Sequence, residues 1–208
     1  MTILLSDPRV AAVPVHECGE PLVRLDAGFG PARALVRAGL ADRLVAARRA
    51  LPLGIAIRVV EGHRSVGDQR AIVAAYDAEV RAAHPDVTDA ATIARLVSRF
   101  VAPVEVAPHV AGAAVDLTLV DVCGDELDLG TPIDATPEQS DGRCFTAANG
   151  IGPDARAHRD LLARVLGGAG LVNYPTEWWH WSFGDRYWAL ATGAAAAAYG
   201  PLDAMVAA

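Results

Sequence analysis

The chain has 208 residues, 52% of them hydrophobic, with 25 acidic against 18 basic side chains and a formal net charge of −7. That length and apolar content predict one compact domain over residues 1–208 with a sizeable core. An acidic chain without a Lys/Arg block argues against nucleic acid or anionic membranes as partners, and for a small molecule or peptide. Oligomeric state is not readable from it. Three cysteines (Cys18, Cys123 and Cys144) make an odd count with no Cys-x-x-Cys spacing, so reduced thiols are expected. A Cys123–Cys144 disulfide is the alternative, because the segment between them reads as loop. Met1 to Pro8 has no basic region and only a short apolar run. No stretch reaches the roughly 20 residues that cross a bilayer. The expectation is a soluble, cytoplasmic protein.

In chain order, residues 1–30 read as an extended arm with strand pieces at Val10 to Val15 and Leu22 to Leu25. Pro31 suits the first turn of a helix carrying Leu35, Val36, Leu40, Leu44 and Val45, ended by Pro52 and Gly54. Ile55 to Val60 is a β-branched strand that delivers Glu61-Gly62-His63-Arg64-Ser65 at its end. A helix over Val66 to Ala83 follows. Thr88 or Asp89 caps another that runs to about Phe100. Pro103 and Pro108 punctuate a loop presenting His109, and Ala113 to Leu119 is the next strand. Asp121 to Gly130 reads as a hairpin turn whose Asp121, Asp125 and Asp128 are solvated; they lack the terminal bidentate Glu of a calcium loop. Residues 131–152 form a long Gly/Pro/Asp-rich loop of the kind that covers sites. Asp154 to Leu166 is a helix closed by Gly167-Gly168. Leu171 to Tyr174 and Trp178 to Phe183 are a last strand pair, before an Ala-rich tail over 191–208. Strands alternating with helices and hairpin signals predict an α+β fold with a mainly antiparallel central sheet flanked by helices.

Two stretches carry the chemistry. One is His109-Val110-Ala111-Gly112-Ala113-Ala114-Val115-Asp116; the other is Glu177-Trp178-Trp179-His180. His109, Asp116 and His180 offer two imidazoles and one carboxylate, the donor set of a catalytic zinc ion that keeps a fourth position open. His109 and Asp116 are an odd number of residues apart and so lie on opposite faces of a straight strand. The backbone must therefore turn at Gly112, with His109 in a loop and Asp116 in the strand. By the same argument Glu177 sits in the turn after Pro175, beside the metal but not on it, placed to act as general base. The indoles of Trp178, Trp179 and Trp181 are assigned to packing. His63 either lines the site or packs. His16, His84 and His158 receive no role.

These motifs resemble the zinc D-alanyl-D-alanine dipeptidases, a family that includes the vancomycin-resistance dipeptidase. The wider group holds D,D-carboxypeptidases, cell-wall endopeptidases and the Hedgehog signalling domain. The family pattern Ser-x-His-x-x-Gly-x-Ala-x-Asp reads here from Ala107 to Asp116, and Glu-x-x-His reads from Glu177 to His180. The resemblance implies one zinc ion held by His109, Asp116 and His180, water activated there as nucleophile, and Glu177 as base. Glu61-Gly62-His63-Arg64 is similar to the family's strand-end motif and implies that Arg64 stabilises the oxyanion. Leu129-Gly130-Thr131-Pro132-Ile133-Asp134 implies that Asp134 holds the free amine of a dipeptide. Asn173-Tyr174-Pro175-Thr176 also matches. Ala107 replaces the family Ser, which bears on amine recognition, and Ser65 replaces a Pro after the Arg. The implied activity is hydrolysis of D-Ala-D-Ala to two D-alanines, in recycling of cell-wall precursors or in removing the dipeptide that vancomycin recognises. The alternatives are a D,D-carboxypeptidase, a dipeptidase of other specificity, or a non-catalytic zinc-binding module. Glu177 speaks against the last.

Overall fold

A computed structural model describes residues 2–202, and its elements run as follows. Helix α1 (Pro8–Ala12) precedes strands β1 (Leu22–Arg24) and β2 (Leu35–Arg37), then helix α2 (Ala38–Arg49) and strand β3 (Ala56–Glu61). Helices α3 (Val66–Ala83) and α4 (Ala90–Val97) lead to strand β4 (Ala114–Val120). Helices α5 (Pro137–Ser140) and α6 (Pro153–Gly168), strands β5 (Val172–Asn173) and β6 (His180–Ser182), and helix α7 (Arg186–Thr192) complete the chain. The fold is α+β, as expected: β3-β4-β6-β5 form an antiparallel sheet and β1-β2 a small antiparallel pair.

The central sheet is sided. Residues alternate faces along a strand, and Val115, Leu117 and Leu119 of β4 join Ile57 and Val59 of β3 in the main core. Leu40 and Leu44 of α2, with Leu161, Leu162, Val165 and Leu166 of α6, cover that face. Asp116 and Thr118 therefore point the other way, yet both are buried. A second apolar cluster, Tyr76, Val80, Ile93 and Val97, joins α3 to α4 as a flank.

Several local expectations change. Val10 lies in α1 rather than in a strand; Asp7 caps that helix by accepting from the Arg9 N–H, with Pro8 in the first turn. One turn is too short to show a 3.6-residue period, so only the cap signals it. Leu35 and Val36 lie in β2, not in the helix predicted from Pro31. Their spacing suits either element. Pairing with β1 decides it, together with Arg37, whose buried guanidinium donates to the Ala111 carbonyl at 2.9 Å. The 131–152 loop contains α5, opened by a capping box between Thr136 and Gln139. All three cysteines are free, which removes the disulfide alternative: Cys123 is exposed at the hairpin and Cys144 is buried in the main core. The hairpin is tied by Asp121, whose Oδ1 accepts from the N–H groups of Cys123 and Asp125. The tail expected over 191–208 is described only in part. Ala197 bonds to Pro14 and His16 of the N-terminal segment, and residues 203–208 lie outside the described residues.

Arg159 of α6 anchors the long loop. It is 1% exposed and donates to the carbonyls of Leu129, Arg143 and Phe145 at 2.7–2.8 Å. Replacing it strands one buried acceptor, at Leu129, and two part-buried ones, at about 1–3 kcal/mol for a fully buried group and less for the others. Arg159→Met should lower stability by about 3 kcal/mol, read by urea unfolding. A change under 1 kcal/mol would mean that water replaces the guanidinium freely.

Candidate metal centre

Directly opposite residues on antiparallel neighbours share a face. The register pairs Asp116 of β4 with His180 of β6 on one side and with Glu61 of β3 on the other. A bulge between Val59 and Glu61 adjusts the β3 edge of this row. His109 reaches the row from a tight turn, in which the Gly112 and Ala113 N–H groups bond back to the carbonyls of His109 and Pro108 at 3.0 Å. Gly112 has φ +64°, and a Cβ there would come within 2.5 Å of Leu22 Cδ2. Only glycine meets both conditions cheaply. The backbone turn inferred from the odd His109–Asp116 separation is thus present at that residue.

Glu177 lies between β5 and β6. The Glu177 N–H bonds to the Tyr174 carbonyl and the His180 N–H to the Glu177 carbonyl. Asn173 clamps this turn, its Nδ2 donating to the carbonyls of Glu177 and His180 at 2.9 Å each. Nothing in the sequence signals that role for Asn173, because it depends on a turn closing over it.

His109, Asp116, Glu177 and His180 are each 4–6% exposed. The Gly62 carbonyl can only accept, so His109 Nδ1, 2.8 Å away, carries a proton and donates to it. In the neutral ring this leaves the Nε2 lone pair facing inward, as a partner of this kind does for metal-binding histidines. His109 Nε2 is 3.1 Å from His180 Nδ1 and 3.3 Å from Asp116 Oδ2, and His180 Nδ1 is 3.1 Å from Asp116 Oδ1. A tetrahedral ion with ligands at about 2.0–2.1 Å has ligand–ligand edges of about 3.3 Å. Among the described residues this is the only group of three or more His, Cys, Asp or Glu side chains whose ligand atoms all lie within 4.8 Å of one another. The donor set therefore fits a divalent cation.

Burial and mutual charge set the electrostatics of the metal-free cluster. Burial alone would raise the Asp116 carboxyl, but the adjoining His109 and His180 rings outweigh it and hold it well below the usual range. Burial would lower His109, and Asp116 overrides that and raises it. Burial, then the charges of Asp116 and Asp134, push Glu177 well above the ordinary carboxyl range, against a pull from Arg64. Glu177 Oε2 is 3.8 Å from His180 Nδ1, and its buried Oε1 has no hydrogen-bond partner. An unpartnered buried carboxylate oxygen is costly unless a cation or a reacting group faces it.

Around this centre lies a cleft of about 500 Å³ whose lining includes Arg64, Asp134, Glu177 and Trp179. Arg64 is aimed by its neighbours. Its Nε donates to Glu61 Oε1 at 2.8 Å and its Nη2 donates to Glu61 Oε2. Its Nη1 donates to Gln69 Oε1 at 2.9 Å. Gln69 is 1% exposed, and its Nε2 donates to the Ala102 carbonyl, which sets the amide's orientation. Glu61 stood in the recognised motif without a role. Gln69 carried only one hint, a polar residue in the first turns of α3. Asp134 sits at the exposed rim with φ 62°. Partial burial, then Asp116 and Glu61, raise its carboxyl, while Arg64 draws it back. His63 does not line the cleft. Trp178 and Trp181 pack in the core as expected, whereas Trp179 does that and also forms cleft wall.

The buried His–Asp–His cluster, with two members on neighbouring antiparallel strands, the third in a turn and a further carboxylate beside it, is a donor set that could hold a divalent cation. The chain belongs to the D-ala-D-ala dipeptidase family, whose model matches residues 56–194. That span runs from β3 past α7 and includes every residue of the centre. The chain is similar to a D-alanyl-D-alanine dipeptidase of Synechocystis, 34% identical over 94 residues, or 42% of this chain and 38% of the relative. It is also similar to one of Escherichia coli, 38% identical over 72 residues, or 35% of each chain. The matched stretches thus span under two fifths of the length of these curated relatives. No helix among the described residues is long and apolar enough to cross a membrane.

Proposed function

We propose that the protein is a zinc-dependent dipeptidase that hydrolyses D-Ala-D-Ala-type dipeptides to free D-amino acids. The observation that carries this reading is the buried Glu177 carboxylate, whose Oε1 has no partner, beside two imidazole nitrogens 3.1 Å apart that each lie within 3.3 Å of an Asp116 carboxylate oxygen. His109, Asp116 and His180 would hold the ion. When bound, it supplies Lewis-acid charge at the scissile carbonyl and makes water a competent nucleophile near neutral pH. Glu177 takes the proton from the attacking water and returns it to the leaving amine. The Arg64 guanidinium, held in place by Glu61 and Gln69, offers preorganised positive charge to the developing oxyanion. Asp134 pairs with the substrate's free ammonium, without the hydroxyl that a Ser at position 107 would add.

The test is hydrolysis by the zinc-loaded protein of D-Ala-D-Ala, its N-acetyl form and L-Ala-L-Ala. Cleavage of the free D,D-dipeptide alone is expected. Cleavage of the acetylated form instead would make the enzyme carboxypeptidase-like and remove Asp134 from the site. Cleavage of none would overturn the activity.

The Arg64 support adds a separate expectation. Arg64→Leu should lower kcat by about 10²–10³. Gln69→Leu leaves the guanidinium charged but frees one side of its fork, so kcat should fall by about 10- to 100-fold, with KM changing less. An unchanged kcat in Gln69→Leu would show that Glu61 alone aims the group.

A further inference from the structure

Away from the candidate metal centre the cleft has a lobe walled mainly by apolar side chains, with the polar Gln69 and Glu79 first and last along its α3 side. Along α3, Gln69, Ile72, Tyr76 and Glu79 recur three or four residues apart, so one helix face lines the cleft. Phe100, Val101 and Ala102, from the segment after α4, continue the wall to Ala107. The Tyr76 and Phe100 rings lie 5.0 Å apart, tilted by 55°. The one hydroxyl in this wall is already engaged: Tyr76 Oη donates to Glu138 Oε2 at 3.0 Å, and Glu138 is paired in turn with Arg99. Ala107, 2% exposed, presents only a methyl group.

Size points the same way. The cleft measures about 500 Å³. Even at the ~30 Å³ that each molecule takes in liquid water, the roughly eleven heavy atoms of dialanine occupy about 330 Å³. Two methyl side chains leave the lobe to water. Beside Ile72, Tyr76 and Phe100 a polar side chain would lose hydration without gaining a partner; the carboxylate of this face, Glu79, is exposed to solvent one turn further along α3. A branched or aromatic one would bury apolar surface on both sides. Binding energy gained away from the reacting carbonyl can also hold the scissile bond in place.

We propose that the preferred substrate is a D,D-dipeptide with one apolar side chain larger than methyl, seated against Ile72, Tyr76 and Phe100. This rests on the dipeptidase reading and specifies its substrate. The experiment compares kcat/KM of the zinc-loaded protein for D-Ala-D-Ala, D-Ala-D-Leu, D-Leu-D-Ala and D-Ala-D-Lys. At least one leucine dipeptide should exceed both D-Ala-D-Ala and D-Ala-D-Lys by tenfold or more. Ile72→Trp, which fills the lobe from α3, should bring the leucine-to-alanine ratio to one or below. Because that readout is a ratio on one preparation, partial misfolding does not imitate it. Ala75→Phe, at an exposed position on the same face, gives a second route if the first variant fails to fold. D-Ala-D-Ala cleaved as well as both leucine dipeptides, or a ratio unmoved by either variant, overturns the proposal. Cleavage of none of the four overturns the dipeptidase reading itself, a separate result.

Discussion

Glu177→Gln should lower kcat for dipeptide hydrolysis by about 10²–10⁴, the usual worth of a positioned general base, while the protein still binds one zinc per chain. The amide keeps the shape of the side chain but cannot take a proton from water. Metal content measured beside kcat separates this loss from damage to the ligand set. Activity within tenfold of the parent would remove Glu177 from the proton transfer. The buried carboxyl also sets a stability trend. Its folded-state pKa is raised by burial and by Asp116 and Asp134, so the folded metal-free protein binds a proton that the unfolded chain has released. Its contribution is favourable at pH values below the ordinary Glu pKa. The contribution is lost as pH rises through the raised folded value. Metal-free Glu177→Gln, with no charge to bury, should therefore melt higher than the metal-free parent at neutral pH, and the gap should close on acidification. A gap that widens on acidification would contradict the burial argument.

The second large effect is expected at Asp116. Asp116→Asn removes the only anionic ligand between His109 and His180 and leaves two imidazoles to hold a dication. Loss of hydrogen-bond partners behind the ligands costs about 10–100-fold in affinity at other sites, so loss of a ligand itself should cost at least about 100-fold. Zinc per chain after dialysis should fall below about a tenth, and hydrolysis should fall with it. Full metal content in the Asn variant would mean that the ion binds elsewhere. In the parent, chelation should abolish activity and added zinc should restore it, since the ligand positions are set by backbone turns and strand register rather than by the ion alone.

Much of this site was legible in order but not in space. The His109 to Asp116 stretch and the Glu177 to His180 stretch named the candidate ligands, and the odd spacing required a turn, which Gly112 makes. The approximate span of α3 was readable because eighteen residues leave room for a helical period before His84-Pro85, while its Ser65 cap emerged only in the structure. The Asp89 cap of α4 was readable as one of two candidates, with Thr88. The one-turn helices α1 and α5 showed only caps. Leu35 and Val36 fit two periods, and their choice was made by the distant partners of β1 and Ala111.

The sequence by itself thus determined the α+β class, the longer elements and the residue types available for metal chemistry, all set by local pattern and turn chemistry. Only the tertiary structure decided that Glu61, Asp116 and His180 stand in one row, because strand register depends on pairs far apart in the chain. It also decided that Gln69 and Glu61 share the Arg64 fork and that α3 and Phe100 leave a mainly apolar lobe beside the candidate metal centre. Those contacts come from packing between elements, and no local period encodes which faces will meet.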